Sequence, residues 1–331
     1  MMPKSEFLKA ARLFGAAFAA LLLAHALGLT NPYWAAMPIW VVIRPYRQDM
    51  LIRGALRVLG TVIGAGIGFL IIQYVHLSVL VGAGLVVMAA VSVGLAFWIG
   101  SIYAYGAMIA GMTCAVIVIP AIGADTDASA LAIDRFWCTL IGVLAVTLSA
   151  ILFVPNRQEK VAFRLKTTGW AVFGRMLATA TLLVIAFLVV LFQPGFIGIS
   201  FAMGLSIFSI VLGSFPDPAP LIRNMPKGAL VGVTMGLVYR YIGGVSGFDE
   251  FQMVLFAGAF IAVGAVLYAH PQTAPFGLDA NMLFLLSAEV GLPGHSLDLL
   301  ALAGGAAFLA ALLATTAFRL VLAIPVFRPR P

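Results

Sequence analysis

The sequence predicts an all-α polytopic membrane protein with about twelve transmembrane helices, arranged as two parallel repeats of six helices. Three observations support this fold class. Of the 331 residues, 63% are hydrophobic and only 9% are charged, whereas soluble domains carry roughly 25% charged residues. Long apolar runs recur along the chain, and its basic residues collect between alternate pairs of runs. This composition excludes a water-soluble enzyme, a nucleic-acid-binding domain and a disordered chain.

A transmembrane helix needs about 20 mostly apolar residues, and the chain contains twelve candidate runs. The second run is short for a full crossing and is interpreted as a half-helix or a tilted span. Residues 1–29 are interpreted as containing a first span, with a cleaved signal peptide as the alternative. The predicted spans are 9–29, 33–43, 54–73, 78–96, 100–121, 133–154, 176–192, 195–212, 228–245, 251–268, 276–291 and 296–322.

The distribution of Lys and Arg predicts the orientation of these spans. If the N-terminus is cytoplasmic and each span crosses once, 17 of the 19 basic residues fall in cytoplasmic segments. Cytoplasmic loops of membrane proteins carry such an excess, so both termini are predicted to be cytoplasmic. Arg135 and Arg240 are the two exceptions, near the outer ends of spans six and nine. The outer loops receive the acidic residues Asp125, Asp127, Asp249 and Glu250.

The order of features along the chain indicates an internal duplication. In spans three and nine, glycines recur every four residues, which places each set on one helix face as a ridge that permits close packing. We predict six-helix repeats at 1–156 and 176–331, joined by a short basic cytoplasmic linker at 157–175. Parallel repeats place a substrate path at their interface, which favours a transporter or a channel. The ridges are Gly60, Gly64 and Gly68, and Gly228, Gly232 and Gly236.

Several short segments resemble a known family. Residues 31–36 (NPYWAA), 41–45 (VVIRP) and 57–61 (RVLGT) are similar to the first membrane half of the fusaric acid resistance family, which belongs with the bacterial aromatic acid exporters. Residues 214–219 (SFPDPA) and 228–230 (GAL) resemble its second half. A more distant likeness links the first half to the plant aluminium-activated malate transporters, which are anion channels.

The resemblance implies a bacterial inner-membrane exporter of aromatic carboxylic acids or related hydrophobic organic anions, driven by the proton gradient. It also implies three partners, namely a small organic anion, the lipid bilayer and a periplasmic adaptor protein. Members of this family commonly carry a large soluble domain between the membrane halves, whereas the basic linker here is short. The chain is therefore either a compact member or a form without that domain. Phe163, Trp170 and Phe173 would suit a linker helix on the membrane surface.

An organic anion that crosses the bilayer needs cationic side chains, and charged residues inside a membrane tend to be functional. Arg240 is the first candidate because it lies between Tyr239 and Tyr241, and Arg and Tyr together can bind an aromatic carboxylate. The alternative is an Arg240 that snorkels to the outer surface. For the other candidates the alternatives are topology-setting charge, a local ion pair with Asp134 and interfacial aromatic rings. These candidates are Arg57, Arg44, Arg135, Tyr33 and Trp34.

Three titratable residues are candidates for proton coupling, because a carboxyl group in an apolar site has a raised pKa and can bind and release protons. Asp279 opens span eleven, where the alternative is a helix N-cap. Glu289 lies near the outer end of that span, with an interfacial position as the alternative. His25 in span one is the third candidate, with a packing role as the alternative.

Three functions stay open at this point. The first is a proton-coupled exporter, the second an organic-anion channel, and the third a membrane subunit that supports envelope assembly without transporting anything itself. The sequence has no Ser/His/Asp grouping, metal-ligand spacing or phosphate loop. We therefore expect no enzymatic activity, no metal and no cofactor.

Overall fold

A computed structural model describes residues 3–124, 126–156, 169–324 and 327. All regular elements in these residues are helices, which confirms the predicted all-α membrane fold. Each predicted span overlaps one helix, in order. The helices are α1 (Lys4–Ala26), α2 (Tyr33–Val42), α3 (Arg47–Tyr74), α4 (Ser78–Ile99), α5 (Ala104–Gly123), α6 (Ala128–Phe153), α7 (Gly169–Phe192), α8 (Phe196–Ser214), α9 (Ala219–Ser246), α10 (Glu250–Ala269), α11 (Ala274–Ser287) and α12 (Leu297–Ala323).

Ten of the described helices are long and apolar enough to cross a membrane. The other two are α2, with 10 residues, and α11, with 14. At 1.5 Å per residue they are about 15 and 21 Å long, less than the roughly 30 Å hydrocarbon core. A short second span was expected, whereas the eleventh was expected to continue to residue 291. The count of twelve membrane crossings therefore stays a prediction.

Prolines account for the short α2, and left-handed backbone conformations account for the short α11. Pro32 precedes α2 and Pro38 lies inside it, where the proline ring removes a helical hydrogen bond. After α11 the chain turns at Glu289, whose φ of 46° is unusual for a residue other than glycine. Gly291 and Gly294 follow, with φ values of 86° and 76°. The left-handed conformation of Glu289 prevents the helix from continuing far beyond Ser287, and the two left-handed glycines keep the chain after it irregular.

The predicted linker 157–175 is partly helical. α7 begins at Gly169, so Trp170 and Phe173 belong to its first turn, where they are exposed and meet edge to face at 6.0 Å between ring centroids. The rest of the predicted surface helix, including Phe163, lies outside the described residues. Arg175, which the topology prediction counted as a linker charge, is instead buried within α7.

The chain forms two compact units. Unit 1 comprises Met1–Gly54, Asp134–Gln158 and Asn224–Gly304. It contains α1, α2, α10 and α11, with most of α6 and α9. Within it, α1 and α11 each pack against both α2 and α10.

Unit 2 comprises Ala55–Ile133, Glu159–Arg223 and Gly305–Pro331. It contains α4, α5, α7 and α8, with most of α3 and α12, and α7 and α5 each pack against both α8 and α4. If α1–α6 correspond in order to α7–α12, these four packed pairs are the counterparts of the four pairs in unit 1. The correspondence favours the predicted duplication, and the two repeats at 1–156 and 176–331 stay a prediction.

Each glycine ridge lies against a neighbouring helix of its own unit. A Cβ atom added to Gly60 of α3 would lie 3.0 Å from the Ile109 side chain of α5. In unit 1, a Cβ atom on Gly228 of α9 would lie 2.6 Å from the Phe276 carbonyl oxygen of α11. In both places the helix backbones approach more closely than a side chain would permit. The ridges therefore determine how closely α3 packs against α5 and how closely α9 packs against α11.

Candidate functional site

The two short helices of unit 1 form an antiparallel pair whose ends carry most of the predicted site residues. α2 packs against α11, and a Cβ atom on Gly291, beyond the end of α11, would lie 2.5 Å from Pro32, before the start of α2. If these helices enter the membrane as predicted, they are too short to cross it, so an end of each lies within its depth. Irregular backbone at that depth is tolerated where it is buried in protein or lines a cavity. The two ends of the pair are therefore the places where a polar path would form.

Cationic and aromatic side chains meet around Tyr268 at one end of the pair. Trp40 of α2 meets the Tyr268 ring edge to face at 6.3 Å between ring centroids. Lys9 of α1 places its Nζ 5.2 Å from the centre of that ring and donates to the Tyr268 carbonyl oxygen at 3.4 Å. Arg44 and Arg53 lie within electrostatic range of the Tyr268 hydroxyl. We call these five residues the basic–aromatic cluster.

The two arginines of the cluster also hold the end of α2. Arg44 donates through Nη1 to the Ile43 carbonyl oxygen at 2.8 Å, and Arg53 donates to that of Val41 at 2.8 Å. Cations near a helix C-terminus are stabilised by its unpaired carbonyl groups and its dipole. A guanidinium has five donors, so Arg44 can hold α2 and present further donors to an anion.

Asp279 brings a carboxyl group to the same end of the pair. It is only 8% exposed, and its Oδ2 is buried with no hydrogen-bond partner among the described residues. It lies within electrostatic range of Tyr268. The N-cap of α11 is Thr273, six residues earlier, so the N-cap alternative for Asp279 is wrong. A titratable group therefore lies next to the basic–aromatic cluster.

The opposite end of the pair gathers several predicted residues around Asn31. The Asn31 backbone N–H and Nδ2 each donate to an Asp134 carboxylate oxygen at 3.2 Å, and the Tyr33 hydroxyl donates to Asn31 Oδ1 at 3.2 Å. The Arg135 guanidinium lies 3.5 Å from the centre of the Trp34 ring, a distance suited to a cation–π contact. Tyr33, Trp34 and Arg135 therefore lie near one another, as a substrate-binding role would require.

Arg240 caps the end of α11. Its Nε donates to the Ala288 carbonyl oxygen at 2.6 Å, and its Nη2 donates to the carbonyl oxygens of Glu289 and Leu292 at 2.7 and 3.1 Å. Nη1 donates to Pro293 at 3.1 Å. Most of the N–H groups of the Arg240 guanidinium are therefore used in hydrogen bonds to backbone carbonyl groups. Arg240 also lines a cavity of about 450 Å³ whose wall includes Phe248 and His295.

The two tyrosines beside Arg240 point to different surroundings. Tyr239 is buried, its hydroxyl donates to the Met253 carbonyl oxygen at 2.9 Å, and its ring stacks on Phe256 at 5.7 Å. Tyr241 is 60% exposed. The Arg240 Cζ lies 5.8 Å from the centre of the Tyr239 ring, and a substrate site that combines Arg240 with both tyrosines stays a prediction.

We expect Arg240→Lys to lower the thermal stability of the protein, because an ammonium group cannot reach four carbonyl oxygens in the fork geometry of a guanidinium. Each hydrogen bond to a charged group contributes about 1.5–3 kcal/mol, so the loss should be easily detected as a lower melting temperature of the purified protein. Arg223→Lys, at an exposed position, is the matched control and should melt like the wild type. Equal melting temperatures for all three proteins would contradict the capping role.

The remaining proton-coupling candidates occupy distinct settings. The Glu289 carboxylate accepts from the His295 backbone N–H at 3.0 Å and lies 2.9 Å from His295 Nδ1. His25 lies at the end of α1, with Nδ1 4.0 Å from a carboxylate oxygen of Glu250. Both pairs belong to unit 1, as Asp279 does.

Within the described part of unit 2, two arginines are buried. Arg57 is 3% exposed and donates through Nη1 to the Tyr105 hydroxyl at 2.8 Å. Arg175 donates to the carbonyl oxygens of Leu212 and Phe215 at 3.0 and 2.8 Å, and so caps α8. The sequence pattern singled out Arg57 but treated Arg175 as a solvated charge, because a basic linker precedes it.

The chain is similar in sequence to a known protein family and to a known efflux pump subunit. The model of the fusaric acid resistance protein family matches residues 6–186 and 197–328. The chain is also 28% identical over 173 residues to the p-hydroxybenzoic acid efflux pump subunit AaeB of Pantoea ananatis (strain LMG 20103). That match covers 47% of this chain and 26% of the relative, so the chain spans about a quarter of the relative's length. No solved structure gives a significant match.

Proposed function

Because the chain belongs to the fusaric acid resistance protein family, we propose that it exports aromatic carboxylic acids or related hydrophobic organic anions across the bacterial inner membrane. The protein is a multi-pass membrane protein with many apolar helices. The matched relative is named a p-hydroxybenzoic acid efflux pump subunit. The observation that carries the proposal is the basic–aromatic cluster beside the buried Asp279 at one end of the short-helix pair.

The cluster combines the two chemistries that an aromatic carboxylate needs. Arg44 and Arg53 supply guanidinium groups, which bind carboxylates through short charge-assisted hydrogen bonds. Trp40 and Tyr268 supply ring surfaces, which favour edge-to-face and offset contacts with another aromatic ring. Because Trp40 is fully buried and meets Tyr268 directly, we propose that the substrate ring enters beside Tyr268 and that its carboxylate faces the arginines.

We propose that Asp279 carries the coupling proton. If binding of a proton to Asp279 and binding of the anion are linked, each changes the affinity for the other by the same factor. The cost of an ionised carboxylate in an apolar setting also falls when a proton binds. Proton entry drives anion exit if the protein changes its access only with one of the two bound.

The proposal is tested with inside-out membrane vesicles that contain the protein and labelled p-hydroxybenzoate outside them. An exporter accumulates the acid in these vesicles, and an uncoupler abolishes the accumulation. Currents in planar bilayers without a proton gradient would indicate an organic-anion channel instead. Vesicles that behave like protein-free controls in both assays would favour a membrane subunit that transports nothing itself.

We expect Arg44→Gln to raise the substrate concentration for half-maximal export about tenfold, because the variant loses a charge-assisted hydrogen bond worth about 1.5–3 kcal/mol. The maximal rate should change less, since Asp279 is intact. Initial rates of vesicle uptake over a range of substrate concentrations measure both quantities. The matched control is Arg223→Gln at an exposed position. A wild-type half-maximal concentration in Arg44→Gln would exclude Arg44 from the binding site.

We further propose cytoplasmic termini and a periplasmic adaptor protein as partner. The orientation is supported by the distribution of Lys and Arg, since the twelve-span assignment places 17 of the 19 in cytoplasmic segments. One of these 17, Arg175, is buried within α7 and does not count towards that support. The adaptor is supported by the name of the relative, which is a pump subunit. Labelling of single cysteines at Asp127 and Lys4 with a membrane-impermeant reagent in whole cells tests the orientation, since only the first should react.

A further inference from the structure

A groove runs along unit 1 between α1 and α6, and it shares only Lys9 with the basic–aromatic cluster. Its volume is about 560 Å³. On α1 its floor consists of small residues, including Gly15, Ala16 and Ala19, and on α6 its wall includes Leu148 and Leu152. Leu148 is 59% exposed and Leu152 62% exposed. Small residues on one helix and exposed leucines on the other leave a long apolar channel that is open along its side.

Two cations line the same groove. Arg12 and Lys9 lie one turn apart on α1, and Ser5 and Ser149 line the groove as well. The Nε of Arg12 is buried and has no hydrogen-bond partner among the described residues. Lys9 interacts electrostatically with Arg12, which repels it, and to a smaller extent with Glu6, which attracts it. A buried guanidinium nitrogen without a partner is costly, and a bound anion would satisfy it.

We propose that this groove binds an anionic phospholipid, with its phosphate at Arg12 and Lys9 and one acyl chain along the channel towards Ala19. The charged first half of α1 belongs at a membrane surface, where lipid phosphates lie. From Arg12 to Ala19 the helix rises about 10 Å, well within one leaflet of a hydrocarbon core roughly 30 Å thick. Basic pockets between transmembrane helices are known to bind anionic headgroups.

The chemistry favours a lipid over other occupants. A free phosphate would leave the apolar channel empty, and a neutral acyl chain would leave Arg12 Nε without a partner. An anionic phospholipid satisfies both parts of the groove at once. The inference does not depend on transport, because the groove and the cluster use different surfaces apart from Lys9.

The experiment measures lipid binding to the purified full chain by native mass spectrometry, with phosphatidylglycerol and phosphatidylcholine of identical acyl chains. One basic residue near a membrane surface contributes enough for about a fivefold change in binding of an anionic lipid. We therefore expect Arg12→Gln to weaken phosphatidylglycerol binding about fivefold, while Lys4→Gln, an exposed position on the same helix outside the groove lining, has no effect. Phosphatidylcholine should bind the wild type more weakly than phosphatidylglycerol does.

A second pair of variants tests the channel itself. A Cβ atom on Gly15 meets no atom within 4 Å, so Gly15→Leu should fold and fill the channel, and phosphatidylglycerol binding should fall. Gly66→Leu is the matched control, because Gly66 of α3 is equally open and lies outside the groove. Equal binding of the two lipids, or wild-type binding by Gly15→Leu, would overturn the proposal. So would a dimer that Gly15→Leu converts to a monomer, which would assign the groove to a second copy of the chain.

Discussion

Asp279→Asn is expected to abolish proton-driven accumulation of the aromatic acid in inside-out vesicles. The amide keeps the size and polarity of the side chain but cannot exchange a proton, so the link between proton entry and anion exit is lost. Exchange of labelled for unlabelled substrate across the vesicle membrane needs no net proton movement and should persist. Accumulation and exchange, measured on the same vesicle preparation, separate loss of coupling from loss of binding.

The control for this prediction is Asp298→Asn, which removes an exposed carboxylate at the start of α12 and should accumulate substrate like the wild type. If Asp279→Asn accumulates substrate normally, the proton is carried elsewhere, and Glu289 and His25 are the next residues to substitute. If both accumulation and exchange disappear while the protein stays monodisperse, Asp279 acts in substrate binding rather than in coupling.

Hydropathy and charge predicted much of the fold, because the bilayer requires apolar spans and cytoplasmic loops carry an excess of basic residues. Each of the twelve predicted spans overlaps a described helix, since a membrane helix needs a long apolar run and little else. The short α11 was missed because its residues are as apolar as those of a full span. It ends where Glu289 and two glycines take left-handed backbone conformations, a property of three-dimensional context that hydropathy does not encode.

The site was predictable only in part, for a related reason. Asp279 stood out because charged residues are rare in apolar runs, and Arg44 because it belongs to a basic segment directly after the second predicted span. Trp40, Tyr268 and Lys9 did not, because aromatic residues are common in membrane helices and Lys9 lies among other basic residues near the chain start. What distinguishes these three is that α1, α2 and α10 bring them together, and no spacing within the sequence encodes that meeting.

The function that we propose requires more polar surface in unit 1 than a packed membrane helix offers, and the short helices provide it. α2 and α11 are shorter than the hydrocarbon core of a bilayer, and arginine side chains donate hydrogen bonds to the carbonyl groups at their C-terminal ends. Arg44 and Arg53 hold one terminus of α2, and Arg240 holds the end of α11. The counterparts in unit 2 under the predicted duplication, α8 and α5, have 19 and 20 residues and meet the length criterion for crossing. Because only unit 1 has these short helices within the described part of the chain, unit 1 is where we expect the substrate-binding site.

Gly64→Val is expected to cause a large loss of stability, because its side chain would enter the space occupied by the backbone of a neighbouring helix. A Cβ atom on Gly64 would collide with the carbonyl oxygen of Ala110 and lie 2.9 Å from its carbonyl carbon. These are backbone atoms of α5, which cannot rotate away as a flexible side chain does. Overpacking typically costs about 1–3 kcal/mol, and the rigidity of the neighbour places this case at the upper end or beyond.

Gly66→Val on the same helix isolates the packing effect, because a Cβ atom there meets nothing within 4 Å. The two variants make the same chemical change two residues apart and share any effect of a β-branched residue on helix propensity. We expect Gly64→Val to melt well below the wild type and to be recovered in low yield, and Gly66→Val to match the wild type in thermal unfolding of the purified protein. If the two variants melt at the same temperature, α3 and α5 can separate without cost, and close approach along the glycine ridge is not what holds them together.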